Sequence, residues 1–483
     1  MRGLKLSLML ALAGLVASGK LAAQDTNLPP QAGDTYSLTW NAATNFVVEG
    51  GDTNSPGWLT QPLSLLNALN IALQQNATIL KARSDLEASY GIVVQTRAIA
   101  LPQLLANGQY KDTDRQAIED YPHAAPSPDQ NWNANVEIVQ TIYQGGKLIA
   151  AVKAAKVTRE QALAQFQATL QDTLLLVRLA YYDILLAAEQ IVVNQASVNL
   201  LQKELDDQQR RYDAGTVPHF NVLRAKVSVA NARPPLIEAQ NNYRISKNNL
   251  CNLLGFNLPR EIWDNIPLKL TDALDAAPFQ IILPDAIQQA LNDRPELVAL
   301  RKTEELQRLG ITDARSGYHP QLQVFAGYTW YNEQFNANNT TPNLNQYLDG
   351  WNAGAQMTWN IFDGLLTHGK VVQAKALYAK SQTALDEETR NVELEVRTSY
   401  SDFLKAREVL ESQKTVLEEA EESLREANAR FDAGTGTQLD VLDAENQLTQ
   451  ARSTNVQALH DYDAARARFE RAIGANMAHP PVK

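Results

Sequence analysis

The stretch Arg211-Tyr212-Asp213-Ala214-Gly215-Thr216 recurs as Arg430-Phe431-Asp432-Ala433-Gly434-Thr435 in this chain of 483 residues. The offset is 219 residues (430 − 211), and nine of the 22 positions that begin at these two arginines are identical. The same offset aligns Ile142-Tyr143-Gln144-Gly145 with Ile361-Phe362-Asp363-Gly364. A repeat of this length predicts an internal duplication, which we divide into a first repeat at 63–255 and a second at 283–477.

Each copy of the motif ends a long heptad pattern. Apolar residues recur every seven positions in the second half at Val396, Phe403, Leu410, Leu417, Leu424 and Phe431, and in the first half at Val177, Ile184, Ile191, Val198, Leu205 and Tyr212. A seven-residue period predicts a helix that supercoils with a neighbouring helix. The first helix would extend from about Gly146 to Ala214, which is on the order of 100 Å at 1.5 Å per residue. An ordinary amphipathic helix is the alternative, and six heptads in both halves disfavour it.

A turn signal follows each long helix. Gly215 and Gly434 suit the left-handed position after a helix, and Thr216 and Thr435 come next. A second helical pattern follows each turn, so each half is predicted to hold a helical hairpin with a tight tip. Pro234-Pro235 interrupts the return helix of the first half and predicts a kink or a break there.

Between the helices the pattern changes to a period of two, which predicts strands at about 104–111, 131–143, 321–332 and 350–362. Each of the last three has one apolar and one polar face, and the apolar faces carry Trp132, Trp330, Trp351 and Trp359. Trp351 and Trp359 are eight residues apart, which would separate them by ~20 Å on a strand tilted by ~40°, near the height of an aromatic-girdled lipid band. A half-buried soluble sheet also alternates in this way.

The polar strand faces are rich in Asn and Gln, which suits a water-filled lumen better than a packed core. Four strands cannot close a barrel, and an open edge in lipid leaves backbone groups unpaired. Two copies would give a barrel of 8 strands and three copies one of 12, and the polar inner faces favour 12. We therefore predict a mainly α protein with a membrane β-barrel to which each copy contributes four strands, and we expect the long helical hairpins to form a second, helical wall that continues the same bore.

Composition excludes several other classes. The formal net charge of −11 disfavours nucleic-acid binding. Cys251 is the only cysteine and the six histidines lack metal-ligand spacing, so we expect no disulfide, no metal and no cofactor. Gly364, Gly369 and Lys370 have the spacing of a Walker A motif, but Val371 stands where Ser or Thr would hold Mg²⁺. The chain is therefore not expected to be an enzyme.

The ends and the middle of the chain have their own signals. Residues 1–23 combine Arg2 and Lys5 with an apolar run and small residues at Ala22-Ala23, which predicts a signal peptide, with an uncleaved anchor as the alternative. We divide the rest into a periplasmic extension at 24–62, an equatorial connector at 256–282 and a tail at 478–483. Four prolines between residues 255 and 284 mark the connector.

The order of these elements resembles the TolC-like outer-membrane efflux protein family. The resemblance covers about 63–477 and is carried by Leu63–Leu69, by Pro102-Gln103-Leu104 before a strand, and by the second tip followed by Asp440-Val441-Leu442-Asp443-Ala444. It implies a homotrimeric channel-tunnel in outer-membrane lipid: a trimeric 12-stranded outer-membrane β-barrel, with four strands per subunit, continued by a long α-helical periplasmic barrel. Such a channel docks a periplasmic adaptor and an inner-membrane pump or ABC transporter, and exports drugs, other small molecules or proteins. A periplasmic coiled-coil adaptor without a pore is the alternative.

The candidate gate lies just past the second tip. Asp440 and Asp443 share a helix face, and a trimer would bring six such carboxylates to its periplasmic mouth, where they would attract cations. Thr437 and Asp440 also match a capping box, so capping is the alternative role. The resemblance implies that these aspartates line the entrance. Family members often tie it shut with an arginine at the place of Gly436 and an acid at the place of Asn221. Gly436 cannot make that bond, so the alternatives are an entrance tied by other hydrogen bonds, one packed shut near Phe220, and one that is simply looser.

Overall fold

The computed structural model describes residues 61–114, 130–256, 266–335 and 344–475, which belong to one compact unit, Trp58–Lys483. The predicted signal peptide, nearly all of the predicted extension, part of the connector and the predicted tail lie outside the described residues, as do both strand-to-strand connections for the most part.

The two halves contain matching helices. The first half has α1 (Leu65–Gln75), α2 (Ala77–Ala98), α3 (Lys147–Asp213) and α4 (His219–Leu253), and the second has α5 (Leu283–Asp293), α6 (Pro295–Arg315), α7 (Leu366–Asp432) and α8 (Gln438–Ala472). Helices α3 and α7 each have 67 residues, and α4 and α8 each have 35. Both pairs begin and end at the offset of 219 that the sequence motif has, so the predicted duplication and long helical hairpins are confirmed.

The heptad residues build two equivalent cores. In the first, Val177 and Ile184 of α3 are buried with residues of α1 and with the end of α4. In the second, Val396 and Phe403 of α7 are buried with residues of α5, α6 and α8. Because the same heptad positions are buried in both halves, the sequence repeat is also a repeat of packing.

Sequence predicts a kink or a break at Pro234-Pro235, and the break is wrong, because α4 is continuous from His219 to Leu253 with both prolines inside it. The residues four positions earlier, Ala230 and Asn231, whose carbonyl groups lose their helical donors, are exposed and open to water. Buried Val229 and Ala239 flank the prolines. Packing on both sides thus maintains a helix that the local sequence disfavours.

Four strands form one antiparallel sheet with the order β2-β3-β5-β6, where β2 is Gln103–Asp112, β3 is Gln130–Gln144, β5 is Gln321–Phe335 and β6 is Leu344–Thr358. A separate parallel pair joins β1 (Pro62–Leu63) to β4 (Lys269–Leu270). In the four-stranded sheet, Val136 pairs with Tyr328, which pairs with Trp351, so the three apolar strand faces lie on one side. Asn135 pairs with Thr329 on the polar side. The predicted alternation is therefore common to the whole sheet.

Two details of the strand prediction are wrong. The last strand runs from Leu344 to Thr358 instead of 350–362, so Trp359 lies beyond it, where its ring nitrogen donates to the Tyr318 carbonyl at 3.1 Å. The register of β3 shifts between Thr141 and Tyr143, which brings Tyr143 opposite Leu322 on the apolar side although alternation predicts the polar side. A bulge adds one residue and so reverses the facing of every residue after it.

Within the described ranges, no helix combines the length and apolar character needed to cross a membrane.

Candidate functional site: the hairpin tips

The two tips have the same backbone structure. Gly215 and Gly434 have φ of 75° and 71°, the left-handed conformation predicted from their positions. In the second tip, the Thr435 amide donates to the Arg430 carbonyl at 2.9 Å and the Gly434 amide to the Phe431 carbonyl at 3.0 Å, which is a Schellman motif. The first tip repeats this pattern. The hydroxyls of Thr216 and Thr435 donate to the same carbonyl groups as their amides, at 2.8 and 3.2 Å, which explains why threonine follows each glycine.

Gly436 sits where the chain passes close to the end of α7. Its amide donates to the Arg430 carbonyl at 3.0 Å. A Cβ atom added at Gly436 would lie 3.1 Å from the Arg430 Cβ and the Phe431 nitrogen. In this structure the turn itself therefore favours a glycine at the position where the family resemblance implies an arginine.

Asp440 caps α8. Its carboxylate accepts from the Thr437 amide at 2.8 Å and from the Thr437 hydroxyl at 2.9 Å, and the Asp440 amide donates back to that hydroxyl oxygen, which completes the predicted capping box. The hydrogen bond from the Thr437 amide, and after it the one from the Thr437 hydroxyl, lower the pKa of Asp440 below its usual value. Asp440 is therefore ionised at neutral pH. Asp443 follows three residues later on the same helix and is also exposed.

The gate candidates of the first tip lie at the start of α4. Phe220 is 68% exposed, and the Asn221 amide donates to the Pro218 carbonyl at 3.0 Å in the first turn. Within one chain, Phe220 is therefore a free apolar side chain at the tip instead of a packed one.

The two tips contact each other through Arg211, which the sequence analysis did not single out. Its guanidinium group lies 4.8 Å above the centre of the Phe431 ring and 3.8 Å from the Asp432 carboxylate, while Asp207 of its own helix accepts a hydrogen bond at 2.7 Å. The arginine before each tip was visible in both copies of the motif. Its partner could not be read from a pattern that runs along one helix at a time.

Further from the tips, buried charges join α3 to α8. Arg178, which is 2% exposed, donates to Glu470 at 2.6 Å, and Arg466 donates to the other oxygen of the same carboxylate at 2.8 Å. Nearer the tips, His460 lies 2.9 Å from Asp183. These contacts hold the first hairpin against the second along much of their length.

The tryptophans lie on or next to the apolar side of the sheet. Trp132 is paired in register with Tyr110 and Asn332, and its ring lies 6.2 Å from that of Tyr347. Trp330 and Trp351 lie on the same side, and Trp359 follows the end of β6. The polar side forms a shallow pocket of about 430 Å³ lined by Asn107, Asn131, Asn133, Asn135 and Thr329, among others.

Known proteins share both sequence and fold with this chain. It is 25% identical over 417 residues to the outer membrane protein TolC of Vibrio cholerae, covering 85% of this chain and 90% of TolC. It is 26% identical over 448 residues to the cobalt-zinc-cadmium resistance protein CzcC of Cupriavidus metallidurans, covering 89% and 96%. The solved outer-membrane channel OprN superposes with a TM-score of 0.71 at 17% identity, covering 86% of this chain and 91% of OprN.

The family described as outer membrane efflux protein matches residues 68–256 and 286–475, which is most of both halves. The protein is thus an outer-membrane channel that extends into the periplasm and acts as the exit duct of an efflux or type I secretion system. By sequence, duplicated hairpins and four-stranded sheet, this chain belongs to the outer membrane efflux protein family.

Proposed function

We propose that three copies of this chain close one 12-stranded barrel and form a passive conduit that opens and closes at the hairpin tips. The observation that carries this proposal is the strand order β2-β3-β5-β6. Its outer strands β2 and β6 run in opposite directions, so β6 of one copy can pair with β2 of the next in the same antiparallel sense as the rest of the sheet. Edges left open in lipid would cost several kcal/mol for each unpaired group, which favours closure.

The polar side of the sheet supports a wide bore. Asn133, Asn135 and Thr329 lie on this side, and packing them in a dry centre would leave amide and hydroxyl groups without partners. An 8-stranded barrel is filled by its own side chains, whereas a 12-stranded barrel has room for water. We infer that this side faces the transport path.

The aromatic residues support a lipid-facing apolar side. Tyr347, beside Trp132, and Trp359 are twelve residues apart, which corresponds to ~30 Å of height at ~3.3 Å per residue and ~40° tilt. Because an outer-membrane apolar band is about 25 Å tall, we infer that Trp132 and Trp359 mark its two borders. Trp330 and Trp351 would lie between the borders against lipid.

A stripe on α4 supports docking of a periplasmic adaptor. Phe220, Leu223 and Val227 are 68, 49 and 58% exposed and lie on one helix face next to the tip. An apolar stripe at helical spacing suits an apolar helix of a partner. We infer that an adaptor joined to an inner-membrane pump or ABC transporter covers this stripe. Leu223→Glu combined with Val227→Glu should abolish export in cells and leave the conductance of the purified channel unchanged.

Oligomeric mass and conductance test the conduit directly. The mature protein is extracted from outer membranes, its mass is measured by native mass spectrometry, and it is inserted into planar lipid bilayers. A trimer with stable ion conductance is expected, whereas a monomer or a dimer, or a trimer that does not conduct, would contradict the proposal. Sensitivity of a deletion strain to drugs and to cobalt, zinc and cadmium, compared with its secreted proteins, would identify the cargo class.

A further inference from the structure

The four-stranded sheet contains one completed seam between the two halves of the chain, where β3 of the first half pairs with β5 of the second. This pairing continues to Gln144, which lies opposite Gln321. The turn after β3 packs against the end of α6, because a Cβ atom added at Gly145 would lie 2.7 Å from the Ser316 carbonyl oxygen. The completed seam therefore has two parts, a strand pair and a contact between a turn and a helix end.

The two free edges of the sheet, β6 and β2, are the repeat equivalents of the paired strands β3 and β5. Strand β2 begins at Gln103 and β5 begins at Gln321, which is an offset of 218 (321 − 103). Gln103 pairs with Val139 and Gln321 pairs with Thr358, which gives β3 and β6 an offset of 219 (358 − 139). Each residue pair of the completed seam therefore has a counterpart, with one residue on β6 and one on β2.

The counterparts on β6 lack their neighbours within one chain. Phe362 is 81% exposed, whereas its equivalent Tyr143 is 43% exposed. Among the described residues, and apart from its own chain neighbours, no atom lies within 4 Å of a Cβ atom added at Gly364. Strand β6 ends at Thr358, whereas β3 continues five residues past the equivalent position, to Gln144 (144 − 139). A missing neighbour thus accounts for the early end of a strand that the sequence pattern extends to residue 362.

We propose that β6 of one copy pairs with β2 of the next copy in the register of the completed seam, and that this pairing extends β6 to residue 362. The register rests on the proposed conduit of three copies and adds which residues meet. In the completed seam, Tyr143 lies opposite Leu322. The two offsets move this pair to Phe362 and to Leu104 of the next copy (143 + 219 and 322 − 218). These two apolar side chains are 81 and 69% exposed in one chain and would cover each other.

The side chains that this register brings together are complementary in size. Tyr110 falls opposite Ala355 and Met357 falls opposite Gly108, and the two large side chains are 65 and 66% exposed in one chain. A slip of one residue would turn the apolar faces to opposite sides of the barrel. A slip of two residues either sets Tyr110 against Met357 or moves Phe362 past the first residue of β2. The register of the completed seam avoids both.

Disulfide formation between copies tests the register. Glu137 pairs with Gly327, so Gln356 should lie opposite Gln109 of the next copy (137 + 219 and 327 − 218). Within one chain these two exposed residues lie on opposite edges of the sheet, about 14 Å apart at ~4.8 Å per strand spacing, which is too far for a disulfide. The full-length Gln356→Cys, Gln109→Cys variant is purified and oxidised, and its products are sized by denaturing electrophoresis. Most chains should be joined in covalent trimers, and the wild type should stay monomeric on the gel because Cys251 is buried.

Two slipped cysteine pairs are the matched controls. Gln356→Cys is combined with Lys111→Cys or with Asn107→Cys, which lie two residues to either side of Gln109 on the same face of β2. Directly opposed residues have Cβ atoms about 4.5–5.5 Å apart and diagonal neighbours are about 7–8 Å apart, so the slipped pairs should not form the covalent trimer. Native mass and conductance, measured before oxidation, show that each variant is folded and assembled.

The outcomes separate the register from the conduit. A conducting trimer that is cross-linked through a slipped pair, through all three pairs equally, or through none would overturn the register and leave the conduit in place. A chain that stays monomeric before oxidation would show that the edges are covered by lipid or by another protein, and would overturn both.

Hydrogen exchange of the assembled trimer tests the extension of β6. The amides of residues 360–362 should be as protected as those of the equivalent residues 141–143, because both segments then have a neighbouring strand. Rapid exchange at 360–362 in a trimer that cross-links as expected would show that β6 still ends at Thr358 and would overturn the extension.

Discussion

At the scale of single residues, Asp440 shows how one side chain can serve two purposes. Its carboxylate closes the capping box with Thr437, and the same hydrogen bonds keep it ionised. Asp443 has no part in that box and is exposed. A role in the entrance would thus be shared by both aspartates, whereas capping belongs to Asp440.

Single substitutions can separate these roles. Asp443→Ala should reduce the cation selectivity of the channel and its block by multivalent cations without affecting the start of α8. Asp440→Ala should reduce selectivity to a similar extent and also lower the melting temperature, because it removes the carboxylate of the capping box. Selectivity measured in planar bilayers checks the first effect and thermal unfolding checks the second. Unchanged selectivity in the Asp440→Ala, Asp443→Ala double variant would show that neither carboxylate acts on ions at the entrance.

Asp463 is a buried carboxyl group in the interface between the hairpins. Burial raises its pKa to about 7, against the opposing effects of the Asp275 amide and the charges of Arg466 and Arg178, while the Asp275 charge adds to the rise. A group whose pKa is raised on folding stabilises the fold at low pH, and this contribution is lost as the pH rises through the folded value. The stability that Asp463 contributes at low pH is therefore lost between about pH 4 and slightly above pH 7.

Asp463→Asn should remove most of the pH dependence of the free energy of unfolding. The wild type should lose on the order of 2 kcal/mol between pH 5 and pH 8, or a few degrees in melting temperature, and Asp463→Asn should lose less. His460 will leave a residual slope of the same sign, because its hydrogen bonds with Asp183 and Asp461 outweigh burial and raise its pKa. Asp402→Asn, an exposed acid on α7, is the matched control, and an identical slope in Asp463→Asn and the wild type would contradict the assignment.

At the scale of helices and strands, local sequence predicts most elements and fails where packing or pairing opposes it. The long helices end at the predicted tips because glycine adopts the left-handed conformation there at little cost. By contrast, α4 continues through Pro234-Pro235, and β6 ends before Trp359. In both cases the outcome depends on contacts with other elements, which a period along one segment does not contain.

Glycines inside and at the end of α7 should respond oppositely to alanine. Gly434→Ala forces a side chain into a φ of 71° and should destabilise the second hairpin by about 1–2 kcal/mol. Gly369→Ala, which has no neighbouring atom within 4 Å of the new Cβ, should stabilise α7 by about 0.5–1 kcal/mol. Thermal unfolding of both variants checks the pair, and a loss of stability in Gly369→Ala as large as in Gly434→Ala would count against the tip geometry.

At the scale of the whole molecule, polar contacts join the two hairpins at several levels between the tips and the cores. Arg211 connects the tips, His460 and Asp183 lie further along, and Arg178 with Glu470 lies near the cores. In the proposed gating, separation of the tips would break the Arg211 contact, whereas the buried pair near the cores could remain. We therefore expect the tips to move first.

Arg211→Ala should make the closed channel easier to open. Its conductance in planar bilayers and the entry of large antibiotics into cells should both rise, because the stacking on Phe431 is worth about 0.5–1 kcal/mol at a partly exposed site. Arg210→Ala is the matched control, since Arg210 also pairs with Asp207 but has an exposed side chain. Equal conductance of the two variants would show that this contact does not restrain the tips.

Much of the site could be predicted and part of it could not. The glycine turns, the capping box at Thr437 and the two aspartates follow from short local patterns, which depend on hydrogen bonds within a few residues. The buried contacts of Gln208 and Gln438 with Glu204 left only a weak signal in the sequence, which is a polar Gln208 at a heptad position that is otherwise often apolar. Gln438, which donates to the same Glu204 oxygen as Gln208, lies 230 residues away from Gln208 (438 − 208), and no local pattern connects the two.

The sequence by itself determined the duplication, the lengths of the long helices, their tips and the alternation of the strands, because each depends on a period or a turn within one segment. Only the tertiary structure decided which strands pair, where β6 ends, that the apolar strand faces coincide, and which polar groups of α3 and α8 are buried together. The physical reason is that register and buried contacts depend on the distance between segments in space, and a linear pattern carries that information only for near neighbours.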